Sequence, residues 1–322
     1  MLLQQRPAAR GIALAVLATL IWSGNFIVAR YSSQSVPPVM LAALRWSCAA
    51  LLMLPLGAAA FWRQRQLVQQ HWPLLLLAAF TGISVFNTLV YVAGHYSEAI
   101  MLALIGTTSS PVFSFTLARI FLKEKIPPQR LAGLLLCIGG ILLLLSRGSW
   151  QTLLHLRFTK GDWWILGAAL SFAVYNILAR KKPAELTPAT FLFSTFWMGT
   201  LLLLPAAAIE YMWQPYSLPF GWQLAGIVLY LGLGTSVIAF FCWNKAIAYL
   251  GAARAAIFGN LIPIFSSLEA VWLLGETISW MHLAGMLLVI GGLVLANLRM
   301  GTGNKKQPTS AGRQRLAAAE KH

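Results

Sequence analysis

Two segments of the chain combine small polar residues with a proline inside long apolar stretches. Residues 106–111 read GTTSSP, and residues 259–263 read GNLIP. A proline within a helix removes a backbone donor and frees carbonyl groups that must find polar partners. Interrupted helices of this kind, with Thr, Ser and Asn side chains nearby, can bind a small polar solute. The alternative interpretation is a kinked packing contact rich in small residues.

Aromatic and amide side chains in the other apolar stretches are further candidates for a binding site. An apolar pocket with a few placed polar groups is the usual form of a site for a small ligand. Each of these side chains can equally be a packing residue or an interhelical hydrogen-bonding residue. Together with the proline segments they give the candidate substrate-binding residues: Trp22, Asn25, Asn87, Tyr91, Thr107, Ser110, Pro111, Tyr175, Asn176, Phe240, Trp243, Asn260, Pro263 and Glu269.

Charged side chains inside apolar stretches are rare, and Arg45 and Glu269 are the two that matter here. A charge at the centre of a bilayer costs about 2.5–3.5 kcal/mol, so such residues usually face a cavity or a partner. For Glu269, proton coupling or binding of a substrate amine competes with structural pairing. For Arg45 we favour snorkelling or a structural pair. Glu124 and Glu276 follow helix ends at matching places, and we interpret them as structural caps.

The elements that must position these residues are membrane-spanning helices. Of the 322 residues, 58% are hydrophobic and 10% are charged, against about a quarter charged in soluble domains. The net charge of +16 is spread over short breaks between apolar runs, which argues against a nucleic-acid partner. The three cysteines have no paired spacing, so we interpret them as buried small hydrophobic residues. We expect no metal site and no cofactor.

Ten stretches are long and apolar enough to span a bilayer, which needs roughly 20 helical residues. Gly, Pro and charged residues mark most of the breaks between them. The sequence therefore predicts an all-α integral membrane protein of ten transmembrane helices. The spans run over roughly 11–30, 38–62, 73–94, 97–121, 129–146, 162–180, 187–211, 221–243, 251–274 and 280–298.

The distribution of basic residues predicts the orientation of these spans. If both termini lie on one side, that side holds 19 of the 24 Lys and Arg residues. Because cytoplasmic loops carry the excess of positive charge, we expect both termini in the cytoplasm. The expected location is the plasma membrane, which in a bacterium is the inner membrane. The basic tail of residues 299–322 would be attracted to anionic lipid head groups.

The chain also matches itself at an offset of about 150 residues. Leu-Pro at 54–55 recurs at 204–205, and GISV at 82–85 recurs as GTSV at 234–237. We therefore expect two five-helix units, residues 11–146 and 162–298, joined by a linker at 147–161 and preceded by a short terminus at 1–10. Since each unit holds an odd number of spans, the second must be inserted upside down relative to the first. Inverted repeats are typical of secondary transporters.

Several motifs resemble the EamA domain of the drug/metabolite transporter superfamily. They are WSGNF at 22–26, LRW at 44–46, SSP at 109–111 leading to KEK at 123–125, and Pro263 leading to Gly-Glu at 275–276. The resemblance covers both units, and it implies cytoplasmic termini and a central cavity lined mainly by the first, third and fourth helix of each half. It also implies export or exchange of small metabolites such as amino acids. The chain departs from symmetry where Thr195 stands at the position equivalent to Arg45.

The expected function is secondary transport by alternating access, with a small neutral, zwitterionic or amphipathic metabolite as substrate and lipids as the surroundings. The sparse charge inside the spans argues against a multiply charged substrate. One alternative is a passive channel, because inverted repeats also build channels. A second is an intramembrane enzyme, since Ser236 and His282 loosely match an intramembrane serine protease pairing. The equivalent GISV segment has no matching histidine, which favours helix packing over catalysis there.

Overall fold

The computed structural model describes residues 2–121, 123, 128–149, 151, 158–218, 221–251, 255 and 258–297. This part of the chain is built from helices and their connections, without a β-strand. Its ten main helices are α1 (Leu2–Tyr31), α2 (Pro38–Arg63), α3 (Trp72–Gly94), α4 (Ala99–Phe121), α5 (Pro128–Ser146), α6 (Lys160–Lys181), α7 (Pro188–Trp213), α8 (Trp222–Leu250), α9 (Leu261–Leu274) and α10 (Trp280–Asn297).

Each of these helices overlaps one predicted span, so the all-α, ten-helix fold is confirmed. Seven are long and apolar enough to cross a membrane, and α5, α9 and α10 contain shorter apolar helices. The main differences lie at helix ends. Helix α1 begins at Leu2 rather than near residue 11, and α8 continues to Leu250 beyond the predicted end at 243. A short helix, Arg65–Gln70, lies between α2 and α3.

The two proline segments differ from the expectation of matched interruptions. Helix α4 runs through Pro111 without a break, so the interruption predicted there is wrong. The loss of one backbone hydrogen bond is tolerated in a long apolar helix packed against its neighbours. Helix α9 does break, at the turn of Gly259 and Asn260, and Pro263 lies in its first turn. A backbone donor is unused in a first turn, so proline costs little at that position.

The helices pack in a pattern that repeats when the two halves are exchanged. Helix α5 packs on α10, and α2 packs on α7. Helix α1 packs on α8 and α9, which corresponds to the packing of α6 on α3 and α4. The contact of α2 with α8 corresponds in the same way to that of α7 with α3. All of these pairs join one repeat to the other, so the two units are interleaved around a pseudo-two-fold axis.

The contact between α5 and α10 is made by glycines at very close approach. An ideal Cβ on Gly133 would lie 2.5 Å from the carbonyl oxygen of Gly292, and one on Gly292 would lie 2.6 Å from that of Gly133. A Cβ on Gly140 would lie 3.0 Å from the carbonyl oxygen of Gly285. The repeat offset of 152 residues relates these two crossings. Small residues allow membrane helices to approach this closely, which is the basis of their packing in lipid.

Helices α3 and α8 each contain a π-helical segment, Phe80–Val85 and Tyr230–Ile238, at equivalent places in the two repeats. These segments include the repeated GISV and GTSV motifs. A π-turn leaves a carbonyl available to another donor, and such turns are frequent at functional sites. The carbonyl of Thr81 accepts a hydrogen bond from Ser171 Oγ at 2.8 Å, and that of Thr235 accepts one from Trp22 Nε1 at 3.0 Å.

Two carboxylates cap helix N-termini across the repeat interface. Glu276 accepts hydrogen bonds from the backbone nitrogens of Ala99, at 2.7 Å, and Ile100, at 3.0 Å. Glu210 does the same at the start of α2, with the nitrogens of residues 39 and 40 at 3.1 and 2.8 Å. Negative charge is favoured at a helix N-terminus, where backbone donors are unpaired. The interpretation of Glu276 as a cap is confirmed, whereas Glu124 lies outside the described residues.

Candidate functional site

Four consecutive residues of α1, Trp22 to Asn25, connect four other helices. Trp22 donates to the π-helical segment of α8, as described above. Ser23 Oγ donates to Glu269 Oε1 of α9 at 2.8 Å, and the carbonyl of Ser23 accepts from Ser266 Oγ at 2.7 Å. Asn25 bonds to side chains of α2 and α3. We call this segment and its side-chain partners the polar hub.

Arg45 of α2 is the charged member on one side of the polar hub. Its Nη1 donates to Asn25 Oδ1 at 2.7 Å, to Asn87 Oδ1 at 2.8 Å and to the Tyr91 hydroxyl at 2.9 Å. Its Nε donates to Ser236 Oγ of α8 at 3.1 Å. The residue is 6% exposed. No described carboxylate lies within ion-pair distance of this guanidinium.

This environment corrects the sequence interpretation of Arg45. Snorkelling is wrong because the side chain is buried, and pairing with an acid is absent within the described residues. The partners are neutral amide and hydroxyl oxygens that bind a guanidinium without cancelling its charge. Sequence reasoning left Arg45 out of the candidate set. The signal that could have included it was its lack of a charged counterpart, since Thr195 stands at the equivalent position. Among the described residues, Thr195 Oγ1 donates to carbonyls of its own helix.

Glu269 of α9 is the charged member on the other side. Its Oε1 accepts from Ser23, whereas its Oε2 is buried and has no hydrogen-bond partner among the described residues. The Tyr230 side chain of α8 lies against the same segment of α1, because a Cβ on Gly24 would overlap its hydroxyl. The hydroxyl of Tyr230 donates to the carbonyl of Ile21 at 2.7 Å. The polar hub therefore holds a buried guanidinium and a half-buried carboxylate, and these two described side chains form no ion pair with each other.

An aromatic cluster adjoins the polar hub at Trp22. The ring of Trp22 lies 5.4 Å from that of Phe240 in an edge-on arrangement, and 5.3 Å from that of Trp243. Aromatic pairs at these distances and angles are favourable contacts. The structure thus brings together half of the predicted site residues: Trp22, Asn25, Asn87, Tyr91, Phe240, Trp243 and Glu269.

The other predicted residues lie elsewhere in the helices. Tyr175 stacks on Phe172 with ring centroids 5.5 Å apart. Asn176 Nδ2 donates to Ser114 Oγ at 3.3 Å, and Thr107 bonds to a carbonyl of its own helix. Asn260 begins α9 without a side-chain cap. The remaining members of the set are in α4 and α9, Ser110, Pro111 and Pro263.

The polar hub has no charged equivalent at the matching positions of the second repeat. The repeat offsets of 150 and 152 residues place Phe172, Tyr175, Thr195 and Ala239 at the positions of Trp22, Asn25, Arg45 and Asn87. Phe172 instead packs against Phe86, with ring centroids 4.7 Å apart. The pseudo-two-fold axis therefore relates a charged, hydrogen-bonded site to an aromatic one, so the two halves of the molecule offer different chemistry.

The residues of the proposed serine protease pairing have separate roles. Ser236 Oγ accepts from Arg45 and donates to the carbonyl of Leu231 at 2.9 Å. His282 Nδ1 accepts from the backbone nitrogen of Ser279 at 3.2 Å, at the start of α10. Neither bond links the serine to a histidine base.

Gly24 provides a test of the polar hub, because a Cβ at this position would overlap the Tyr230 hydroxyl. We expect Gly24→Ala to push the Tyr230 ring away and to reduce transport severalfold, with a loss of stability of about 1–3 kcal/mol from overpacking. The measurements are transport by reconstituted protein and its melting temperature. Gly226→Ala is the control, since a Cβ there meets nothing within 4 Å. Equal transport by both variants would contradict the placement of Tyr230 at the site.

Comparison with known proteins gives consistent matches over nearly the whole chain. The model of the EamA-like transporter family matches residues 9–146 and 159–298. A probable terminal-alkyne amino-acid exporter of Streptantibioticus cattleyicolor is 27% identical, covering 93% of this chain and 97% of its own. A probable amino-acid metabolite efflux pump of Salmonella typhimurium is 25% identical, with coverages of 88% and 93%. The uncharacterized transporter YyaM of Bacillus subtilis is 27% identical, with coverages of 93% and 98%.

A solved crystal structure supports the fold. It shares 22% sequence identity and covers 89% of this chain and 96% of its own, with a TM-score of 0.61. At this identity the likeness concerns the fold alone.

Among the described residues, no group of three or more His, Cys, Asp or Glu side chains is arranged to hold a metal ion.

Proposed function

The chain belongs to the EamA-like transporter family, and from that premise we propose that it is a secondary transporter that exports or exchanges a small organic metabolite by alternating access. The substrate is a neutral, zwitterionic or amphipathic solute, such as an amino acid. Two relatives are named as an amino-acid exporter and an amino-acid metabolite efflux pump, which supports this choice. The protein spans the plasma membrane with both termini in the cytoplasm, as the distribution of Lys and Arg indicates.

The observation that carries this proposal is the position of the polar hub across the repeat interface. Arg45 of the first repeat bonds to Ser236 of the second, and Ser23 of the first bonds to Glu269 of the second. A solute bound here contacts both repeats at once. Rocking of one repeat against the other would then expose the bound solute first to one side and then to the other.

Counterflow in proteoliposomes tests this proposal. Vesicles containing the purified protein are loaded with a mixture of the twenty amino acids, and a trace of each labelled amino acid is added outside in turn. A carrier accumulates its labelled substrate inside the vesicles transiently above the outside concentration. The reason is that the excess of unlabelled solute inside exchanges with the external label and competes with the label for exit. Protein-free vesicles are the control.

The outcome separates a carrier from a channel. Saturable uptake with counterflow supports the carrier. Flux that rises linearly with concentration and shows no counterflow would contradict it and favour a passive channel. A negative result with amino acids is extended to a panel of small metabolites, and counterflow with none of them would overturn the proposal.

A further inference from the structure

We propose that the connection between α9 and α10 is the outer gate of the transport pathway, and that Glu276 holds this gate closed on α4. The connection consists of residues 275–279, and we call it the strap. This inference rests on the proposed function and goes beyond it, because it assigns the gate and the residue that closes it. The evidence is one contact between the repeats, two cavities beside it, and a second contact of the same chemistry for comparison.

Glu276 joins the strap to the first repeat through two backbone donors. Its carboxylate accepts from the nitrogens of Ala99 and Ile100, at 2.7 and 3.0 Å, in the first turn of α4. The strap is not helical, so these two hydrogen bonds fix a segment that would otherwise move more easily than a helix. In the predicted topology, the strap and the start of α4 lie on the outer side of the membrane.

Two cavities share the strap as a wall. The first, of about 410 Å³, is lined by residues 274–277 and by the end of α1. The second, of about 370 Å³, is lined by Thr277 and Ser279 of the strap and by Met101 of α4. Thr277 and Glu98 line both cavities. Displacement of the strap would therefore join the two spaces into one outer vestibule through which a solute could leave.

The strap is connected to the polar hub by a short π-helical segment. This segment, Ala270–Leu274, follows Glu269 of the hub and ends just before Gly275. Gly275 has a φ of +68°, a left-handed conformation that glycine adopts without strain. Turns of the π type are frequent at functional sites. The chain therefore has a non-regular joint between the hub and the strap, where a gate needs to bend.

Glu210 makes the same kind of cap at a contact that we expect to remain closed. It accepts from the first backbone nitrogens of α2, as described above. Helices α2 and α7 also meet further along, where the rings of Trp46 and Phe196 lie 4.7 Å apart. A Cβ on Gly57 would lie 2.6 Å from the ring of Phe193. A helix pair packed over such a length cannot open at the Glu210 end without losing these contacts.

The internal repeat gives the two carboxylates different counterparts in the sequence. At the offset of 152 residues Glu276 corresponds to Glu124, whereas at the offset of 150 residues Glu210 corresponds to Ala60. Gates that alternate between two inverted repeats need equivalent residues in each repeat. The sequence supplies a second acid for Glu276 alone, and a permanent cap such as Glu210 needs none.

Thiol labelling in the second cavity tests this inference. The Met101→Cys variant carries a reporter under the strap, where Met101 is 4% exposed, and Cys48, Cys137 and Cys242 are replaced by alanine. A membrane-impermeant thiol reagent is applied to intact cells. The Ser217→Cys variant, at an exposed position expected on the same side, gives the rate for an open thiol. We expect the reporter to react at least about tenfold more slowly, because the closed state predominates.

Glu276→Gln in the reporter protein then weakens the latch at nearly constant size. The amide has one acceptor oxygen and no charge, so it cannot replace both hydrogen bonds of the carboxylate. Since the cap exists only in the closed state, we expect the labelling rate of the reporter to rise about tenfold. Glu276→Asp keeps the charge on a shorter side chain, and we expect a smaller rise.

Glu210→Gln is the matched control, because it makes the same chemical change at the other inter-repeat cap. We expect it to lower the melting temperature about as much as Glu276→Gln does, and to leave the labelling rate unchanged. A purely structural role of Glu276 would make the two variants alike in both measurements.

Three results would overturn the inference. One is an equal rise in labelling for Glu276→Gln and Glu210→Gln, which indicates general loosening. Another is no rise for either Glu276 variant. The third is a reporter with Glu276 intact that already reacts as fast as the Ser217→Cys variant. If counterflow is present in any of these cases, the proposed function stands and the gate assignment fails. Absence of counterflow with every solute would instead overturn the proposed function itself.

Discussion

Arg45→Leu is expected to abolish transport, the largest loss of activity of any single substitution at the polar hub, and to destabilise the protein by about 1–3 kcal/mol. The change removes four hydrogen bonds at 2.7–3.1 Å. It leaves the amide oxygen of Asn87, itself 1% exposed, without its charged donor. Each buried polar group left unpaired costs about 1–3 kcal/mol. Transport in proteoliposomes and the melting temperature of the detergent-purified protein measure the two effects.

Arg63→Leu is the matched control for this substitution. Arg63 is exposed at the end of α2, and its Nε bonds to a carbonyl of its own helix. We expect a change of less than about 0.5 kcal/mol and normal transport, as for most surface substitutions. If Arg45→Leu transported normally at normal stability, the assignment of Arg45 to the binding site would be wrong.

Gly292→Val is the prediction with the largest structural effect away from the polar hub. An added Cβ would lie 2.6 Å from the carbonyl oxygen of Gly133, and backbone atoms cannot move aside as a flexible side chain can. Overpacking typically costs about 1–3 kcal/mol, and we expect this variant at the upper end or beyond. Helices α5 and α10 would separate, with a lower melting temperature and less folded protein in the membrane.

Gly291→Val gives a direct comparison for the same helix. The nearest atom to a Cβ at Gly291 is in the Leu136 side chain at 3.8 Å, which is ordinary contact. Its cost is therefore expected to be below about 1 kcal/mol. Similar melting temperatures for the two valine variants would show that α5 and α10 do not cross at Gly133 and Gly292.

The fold was accessible from the sequence because the bilayer restricts the possible structures. Ten helices are predicted by the length of the apolar stretches and by the Gly and Pro residues between them. The two inverted units are predicted because each repeat contains an odd number of spans. These signals are local or periodic, so they survive without knowledge of contacts. Helix ends were less accurate, as the extension of α8 to Leu250 shows, because a helix can continue through an amphipathic interface.

The site was accessible only in part because its contacts join distant residues. Asn25, Asn87, Tyr91 and Glu269 were selected as polar residues in apolar helices, and the structure brings them together. Arg45 was not selected as a site residue, since its hydrogen bond to Ser236 joins positions 191 residues apart. No local sequence pattern predicts a contact over that separation. The π-helical turns were also missed, because a single extra residue in a helical turn leaves no periodic signal.

In the segments chosen for their prolines, the sequence predicted two helix interruptions, and the structure has one of them. Proline in a membrane helix was expected to open the backbone of α4 and α9 at equivalent places. Helix α4 remains continuous through Pro111, whereas α9 breaks before Pro263. Sequence symmetry therefore did not guarantee structural symmetry, since the surrounding helices determine whether a missing hydrogen bond becomes a break.

The central claim is that two oppositely inserted repeats share one polar hub, and two-sided thiol labelling tests it most directly. Gln69→Cys and Ser217→Cys introduce exposed thiols between α2 and α3 and between α7 and α8, with Cys48, Cys137 and Cys242 replaced by alanine. A membrane-impermeant thiol reagent is applied to intact cells and to opened cells. We predict that the Ser217→Cys variant reacts in intact cells and that the Gln69→Cys variant reacts only after opening. Reaction of both variants from the same side would contradict opposite insertion, and the shared site would lose its structural basis.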